Sequence, residues 1–167
     1  MERYKVAFAT GSRADYGIVR NYIAKLNNNP EVDFYILATG ALLSADFGNA
    51  IDIIVEDGFR IDYKDFVEVK METLNDTCHI MAKTLQDFSD YFSNNKPDLL
   101  IILGDRYEIY SISIAAAMHR IPILHLHGGE LTMANYDEFI RHSITKMATW
   151  HFTSTLEYKM RVIQLGE

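Results

Sequence analysis

Two carboxylates, Asp105 and Glu130, each follow an apolar run that has the length of a buried strand. Gly104-Asp105-Arg106 comes directly after Leu99 to Leu103, and Glu130 comes shortly after Ile123 to Leu126. Carboxylates in different surroundings can divide into a proton donor and a proton acceptor. We therefore expect general acid–base chemistry at this pair, although Asp105 could also simply cap the helix that begins at Arg106.

Two histidines, His125 and His127, accompany the second apolar run. We expect them to alternate along one strand and to face opposite sides of the sheet, so that one is a core histidine and the other points toward the site. Their spacing also suggests a metal site. No cysteine or third close ligand supports that interpretation, so we expect no metal.

The two apolar runs must be held side by side for these groups to meet. The segment from Asp98 to Glu130 is typical of a strand, a helix reaching about His119, and a second strand. A crossover of this length makes the two strands parallel. Because ligands bind at the carboxyl ends of strands in open α/β sheets, the sequence predicts a site at that edge.

A second candidate loop, Gly11-Ser12-Arg13, lies between the first predicted strand and the first predicted helix. Free backbone N–H groups and the helix dipole favour an anion there, and Arg13 adds a bidentate phosphate donor. The alternatives are a solvated Arg13 and a structural Asp15 that caps the helix. The chain contains no G-x-G-x-x-G fingerprint and no P-loop lysine motif, so NAD binding and ATP hydrolysis lack their usual sequence support.

Strands and helices alternate along the whole chain, which predicts an α/β fold with a three-layer, doubly wound, Rossmann-like parallel sheet. The predicted strands are Lys5 to Ala9, Val32 to Ala38, Phe59 to Tyr63, Leu99 to Leu103, Ile123 to Leu126 and Trp150 to Thr153. The longest helix is predicted from about Met71 to Phe92. Its apolar face, which includes Cys78, is expected to pack on the sheet rather than form a coiled coil.

Composition limits the remaining classes of protein. With 167 residues, of which 49% are hydrophobic, the chain can form one domain. A net charge of -7 argues against nucleic acid or an anionic membrane as the main partner. One cysteine and no apolar segment long enough for a signal peptide or membrane helix predict a cytoplasmic protein.

Four motifs in this order and spacing resemble the hydrolysing UDP-N-acetylglucosamine 2-epimerases of sialic-acid and related nonulosonic-acid biosynthesis. The motifs are GSRADYG, GDRYE, HLHGGE and YDEFIRHSITKMATWHFTSTLEYKMRVIQLGE, and they cover essentially the whole chain. The resemblance implies one half of a glycosyltransferase-B-like fold, with residues 1–167 as the N-terminal domain and a UDP-binding C-terminal domain beyond it. It also implies a homo-oligomer, a dimer or tetramer, and neither a metal nor a nicotinamide cofactor.

The resemblance implies a two-step reaction in which UDP is eliminated to give a 2-acetamidoglucal, and water then adds with inversion at C2. The implied catalytic residues are Asp105, Glu130, His127, Asp137 and Glu138. The implied substrate-binding residues are Gly11, Ser12, Arg13, Arg106, Arg141 and His142. Asp137 and Glu138 begin a predicted helix, where acidic residues also suit the dipole without any function.

One position departs from the pattern of part of the family. Many relatives carry glutamate two residues after the first histidine, where this chain has His127, and Glu130 follows three residues later. Either residue could inherit the proton-transfer role. The alternative functions are the same reaction on a UDP-diacetamido-trideoxy sugar, a nucleotide-sugar glycosyltransferase, or a binding domain without activity.

Overall fold

In this computed structural model, the described residues are 3–45, 48, 50–67, 73–132 and 136–167. Strands and helices alternate through them as the sequence predicts. The strands are β1 (Tyr4–Thr10), β2 (Val32–Thr39), β3 (Ile61–Asp65), β4 (Leu99–Leu103), β5 (Ile123–Leu126) and β6 (Trp150–Phe152). The helices are α1 (Arg13–Asn27), α2 (Ile51–Glu56), α3 (Leu74–Asn94), α4 (Tyr107–Met118), α5 (Asp137–Met147) and α6 (Leu156–Gln164), and a 3-10 turn covers Gly40–Leu43.

The described strands form one sheet in the order β3-β2-β1-β4-β5-β6, and every neighbouring pair is parallel. From β1, successive strands are added towards one edge of the sheet, and from β4 they are added towards the other edge. The strand order therefore reverses between β1 and β4, and in doubly wound sheets the crevice at such a point receives the ligand.

Apolar side chains cover both faces of the sheet, which confirms the three-layer architecture. Leu100 and Ile102 of β4 belong to the core under α3, α4 and α5, while Ile101 and Leu103 belong to the core under α1 and α2. Successive residues of a strand point to opposite faces, so a strand buried on both sides must be apolar throughout. This explains the uninterrupted run LLIIL.

Helix α3 packs on the sheet and against α4, as predicted, through Ile80, Phe88 and Phe92. Cys78 was expected on this apolar face, but it is exposed. Among the α3 residues whose burial is described, Ile80 is the first that is buried. The predicted start at Met71 lies outside the described residues, and the described helix begins at Leu74. No helix of the described chain is long and apolar enough to cross a membrane.

One predicted strand boundary and two capping alternatives that the sequence left open are wrong. Strand β3 begins at Ile61 rather than Phe59, because the Phe59 ring packs in the core against Phe34 and Tyr16. Ser12 rather than Asp15 caps α1. Asp105 does not cap α4, whose N-cap is Arg106 without a capping bond from its side chain.

Candidate active site

The loops after β1 and β4 form the two sides of the crevice where the strand order reverses. The Ser12 hydroxyl accepts a hydrogen bond from the backbone N–H of Asp15 at 3.2 Å, which fixes the first turn of α1. Arg13, the first residue of that helix, is exposed. Gly11-Ser12-Arg13 therefore has the predicted geometry for an anion at a helix N-terminus, with a guanidinium free to reach it.

Glu108, in the first turn of α4, joins these two loops, and the sequence reasoning assigned it no role. Its side chain is 1% exposed, and Oε1 accepts a hydrogen bond from Arg106 Nε at 2.6 Å. A Cβ atom added at Gly11 would lie 2.7 Å from the same oxygen. Only glycine fits at this close approach, so Glu108 holds Arg106 and also limits which residue can occupy position 11. A lone acidic residue in a helix that is otherwise apolar was the available signal.

Asp105 lies at the carboxyl end of β4 and pairs with Arg141 of α5. Arg141 Nη2 donates a hydrogen bond to Asp105 Oδ2. The Asp105 side chain is only 18% exposed and the Arg141 side chain only 8%. Burial raises the pKa of Asp105, Arg141 lowers it, and the charges of Asp137 and Glu130 raise it further. A carboxyl group with a raised pKa is better suited to exchange protons near neutral pH than an ordinary aspartate.

Arg141 has more hydrogen-bonding capacity than Asp105 uses. Its Nε and Nη1 atoms are buried and have no hydrogen-bond partner among the described residues. Buried donors without partners are costly, and a ligand oxygen would satisfy them. The geometry therefore suits an oxyanion or carbonyl oxygen next to Asp105.

The other residues at the start of α5 differ in how closely they approach Asp105. Asp137 is close enough for its charge to affect the pKa of Asp105. The Glu138 side chain is 43% exposed, and its Oε1 atom lies 3.7 Å from His142 Nε2, a contact that is an ion pair only when His142 is protonated. The structure thus brings Asp137 and Arg141 to Asp105, whereas Glu138 and His142 contact each other.

His125 is the core histidine that the sequence predicts. It is fully buried, its Nε2 atom lies 2.8 Å from the carbonyl oxygen of Gly104, and Nδ1 lies 3.2 Å from the Thr145 hydroxyl. Burial lowers its pKa to about 4, so the ring is neutral and donates to Gly104 through Nε2. His125 therefore ties the exit of β4 to α5 and carries no charge into the site.

Strand β5 ends at Leu126, and His127 lies beyond it. The prediction that the two histidines alternate along one strand is therefore wrong. Its φ angle is +64°, and its backbone N–H donates to the carbonyl of Phe152 at 2.9 Å. His127 Nδ1 lies 3.1 Å from Glu130 Oε1, which also accepts a hydrogen bond from the Ser154 hydroxyl at 2.7 Å. His127 and Glu130 are thus one hydrogen-bonded unit.

The described residues contain no group of three or more His, Cys, Asp or Glu side chains placed to hold a metal ion. What the described structure brings together at the carboxyl edge is a set of proton-exchanging and cationic groups. These are Asp105, Arg106, His127, Glu130, Asp137 and Arg141. Such a set can move protons and bind an anionic leaving group.

Comparison with known proteins agrees with this arrangement. Polysialic acid biosynthesis protein P7 of Escherichia coli is 52% identical over 165 residues, which are 98% of this chain and 42% of that protein. GDP/UDP-N,N'-diacetylbacillosamine 2-epimerase (hydrolyzing) of Campylobacter jejuni is 39% identical over 100% of this chain and 43% of that protein. The chain thus spans less than half the length of these relatives.

Solved structures confirm the fold class at low sequence identity. The structure of UDP-GlcNAc 2-epimerase from Neisseria meningitidis bound to UDP-GlcNAc matches with a TM-score of 0.81 and 20% identity, over 98% of this chain and 43% of that one. The chain corresponds to one Rossmann-like half of such a glycosyltransferase-B-like fold. The sequence model of the family described as UDP-N-acetylglucosamine 2-epimerase matches residues 24–167. Because this match covers most of the chain, including the loops after β4 and β5, the chain belongs to the UDP-N-acetylglucosamine 2-epimerase family.

Proposed function

We propose that this chain is the N-terminal domain of a longer protein, hereafter the full-length protein, that hydrolyses and epimerises UDP-N-acetylglucosamine. The products are N-acetylmannosamine and UDP. The observation that carries the proposal is the Asp105–Arg141 pair at the point where the strand order reverses. The pKa of its carboxyl is raised, and two of its guanidinium donors have no partner in the described part of the chain. Family membership supplies the class of substrate.

The proposed chemistry divides into elimination and hydration. In the elimination, a base takes the C2 proton while the bond between C1 and the UDP oxygen breaks, which leaves a 2-acetamidoglucal. In the hydration, water adds its hydroxyl to C1 and a proton enters C2 from the opposite face. One water molecule is consumed overall. Two proton-exchanging groups and cationic donors for the leaving diphosphate are therefore needed.

Asp105 is the first proton-exchanging group in this proposal. Its raised pKa lets it gain and lose a proton at lower energetic cost than an ordinary aspartate. Asp137 adds negative charge beside it, and Glu138 lies further out on the same helix turn. The second proton-exchanging group comes from His127 and Glu130 at the end of β5.

The diphosphate would lie against the loops after β1 and β4. Arg13 is exposed at the start of α1, where the backbone of Gly11 and Ser12 adds N–H groups. Glu108 engages Arg106 only through Nε, so the terminal amino groups of Arg106 remain for an anion. The unused donors of Arg141, with His142 one residue later, suit the acetamido carbonyl or a phosphate oxygen.

A second substrate follows from the Campylobacter jejuni relative, whose name specifies N,N'-diacetylbacillosamine. The same elimination and hydration would act on a UDP-diacetamido-trideoxy sugar, since the chemistry at C1 and C2 is unchanged. We favour UDP-N-acetylglucosamine because the more similar Escherichia coli relative is named for polysialic acid. A glycosyltransferase or a binding domain would not need the paired carboxylates.

The proposal extends to the assembly and location of the protein. A C-terminal UDP-binding domain would supply the other side of the crevice, so the 167-residue chain alone should have almost no activity. The full-length protein should be a cytoplasmic homo-oligomer, as the resemblance and the single cysteine imply.

The test is proton NMR of UDP-N-acetylglucosamine incubated with the full-length protein in D2O. The expected result is UDP plus N-acetylmannosamine carrying deuterium at C2, with no turnover by the Asp105→Asn variant. Turnover only with the diacetamido sugar would select the second substrate. Absence of turnover with both sugars would refute the proposed reaction and favour a transferase or binding domain.

A further inference from the structure

We propose that His127 is the second proton-exchanging group, acting through Nε2, and that Glu130 and Ser154 are positioning residues that hold its ring. This inference rests on the proposed function, because it names which residue exchanges a proton with C2. It separates the roles of His127 and Glu130, and it adds Ser154, to which the sequence analysis assigned no role.

The backbone conformation at His127 holds the residue in one orientation. Its φ of +64° lies in the left-handed region, which residues other than glycine, asparagine, aspartate and histidine seldom adopt. The N–H bond to the carbonyl of Phe152 holds the residue there, against the end of β6. A non-glycine residue kept in this conformation is found mostly where a side chain has a task.

The side chain is oriented by Glu130. A carboxylate can only accept hydrogen bonds, so the 3.1 Å contact requires His127 to donate through Nδ1. In the neutral ring, Nε2 then carries the lone pair that accepts a proton. Partners of this kind set the tautomer of functional histidines in many enzymes.

Glu130 is in turn fixed by Ser154. The Ser154 hydroxyl donates to Oε1, the same oxygen that accepts from His127, at 2.7 Å. Two donors on one oxygen hold the carboxylate between the loop after β5 and the loop after β6. Because these two contacts hold Oε1 of Glu130, His127 is the group of the pair that faces reactants.

The surroundings of His127 leave the ring accessible. Its side chain is 35% exposed, and it borders a cavity of about 200 Å³ whose walls include Tyr22 of α1 and Ser154. His125 on β5 is neutral because burial lowers its pKa to about 4, and the Tyr22 phenol is uncharged. Glu130 is a charged group in contact with His127, and the charge of Glu130 also reaches Asp105.

The proton balance of the proposed step is closed. The group that takes the original C2 proton during elimination releases it to the departing UDP or to solvent. As water adds its hydroxyl to C1, the other group gives its proton to C2. The proton left over from water passes to the depleted group or to solvent. No oxidant, reductant or further reactant is required.

Chemical rescue tests the role of His127. The left-handed backbone suits glycine, so His127→Gly in the full-length protein should keep its fold, checked by circular dichroism. We expect its kcat to fall by about 100-fold or more. Added imidazole should restore kcat by about tenfold or more, as expected when the missing group is a proton carrier. A kcat within threefold of the parent, or a loss that imidazole leaves unchanged, would overturn the inference. His127→Asn, which tolerates the same φ, repeats the test if the glycine variant misfolds.

The positioning residues need a different measurement. Glu130→Gln should lower kcat by about 10- to 100-fold and Ser154→Ala by about three- to tenfold, with KM within about twofold. Ser154→Thr keeps the hydroxyl and should restore kcat. The matched control is Ser93→Ala, whose hydroxyl bonds a backbone carbonyl on α3 and lies outside the site. Equal kcat in Ser154→Ala and Ser93→Ala would remove Ser154 from the unit.

Nitrogen NMR of the ring tests the geometry without any turnover. In the full-length protein with ¹⁵N-labelled histidine, His127 should show the tautomer protonated at Nδ1, and Glu130→Gln should shift the ring towards the Nε2 tautomer. A parent protein that turns over neither sugar would refute the proposed function but would not affect this result. A ring that is protonated at Nε2 in an active parent would refute the inference alone.

Discussion

Asp65, at the end of β3, should make the stability of this protein decrease as the pH rises. The residue is 2% exposed, and its carboxyl accepts a hydrogen bond from the Thr39 hydroxyl at 2.9 Å. Burial and the neighbouring Asp87 carboxyl together raise its pKa from 3.8 to about 6, and burial is the larger cause. The hydroxyls of Thr39 and Thr84 lower the pKa, but by less than burial and Asp87 raise it. The folded protein therefore favours the neutral form of Asp65.

The sign and size of the effect follow from proton linkage. Between pH 3.8 and about 6 the folded state binds more protons at Asp65 than the unfolded state does, so the free energy of unfolding falls as the pH rises. Each pH unit between the two pKa values changes it by about 1.4 kcal/mol. Asp65 should therefore cost about 2 to 3 kcal/mol at pH 7.5, and almost nothing at pH 4.

Asp65→Asn should remove that cost, because the amide oxygen still accepts from Thr39 and carries no charge. Urea unfolding followed by circular dichroism should give similar stability for variant and parent at pH 4. At pH 7.5 the variant should be more stable by about 2 to 3 kcal/mol, or about 5 to 10 °C in Tm. The control is Asp90→Asn, an exposed carboxylate on α3. The same difference between variant and parent at both pH values would refute this reasoning.

Three further substitutions test the crevice. Asp105→Asn in the full-length protein should lower turnover by about 100-fold or more, while Tm stays within a few degrees because burial already favours a neutral group there; near-normal turnover would leave Asp105 a purely structural role. Arg13→Ala should weaken UDP binding by about tenfold in calorimetry, with little effect on stability since the side chain is exposed; an unchanged binding constant would count against the phosphate contact. Gly11→Ala should cost about 1 to 3 kcal/mol in unfolding experiments, because the new Cβ would lie 2.7 Å from Glu108 Oε1. Adding Glu108→Ala should recover part of that cost, and strictly additive effects would contradict the clash.

The fold could be predicted because its signals are local. A run such as LLIIL has no polar residue, which only a strand buried on both faces requires, and the lengths between runs require helical crossovers. The errors arose where a tertiary contact overrides a local preference. Phe59 was predicted to begin β3, but its ring packs in the core beside Phe34 and the strand begins two residues later, at Ile61.

Only the site residues that directly follow strands could be placed from the sequence. Asp105 and Glu130 follow parallel strands, so their common edge was predictable. The Asp105–Arg141 contact joins residues 36 positions apart, and no spacing rule indicates it. Ser154 reaches Glu130 across 24 positions for the same reason. Such contacts depend on how β5, β6 and α5 pack, which is determined by the whole core.

Asp65 and Asp105 show why a buried carboxyl with a raised pKa does not by itself identify an active site. Both lie at the carboxyl ends of parallel strands, and burial raises the pKa of each. Asp65 ends the edge strand β3, where its partners are a hydroxyl and another acid. Asp105 ends a central strand, at the reversal of strand order, and two buried donors of its partner Arg141 have no acceptor among the described residues. A buried cation with unused donors would be replaced by apolar packing if stability were the only requirement. The position in the sheet and the incomplete pairing of Arg141 therefore distinguish the functional carboxyl from the structural one.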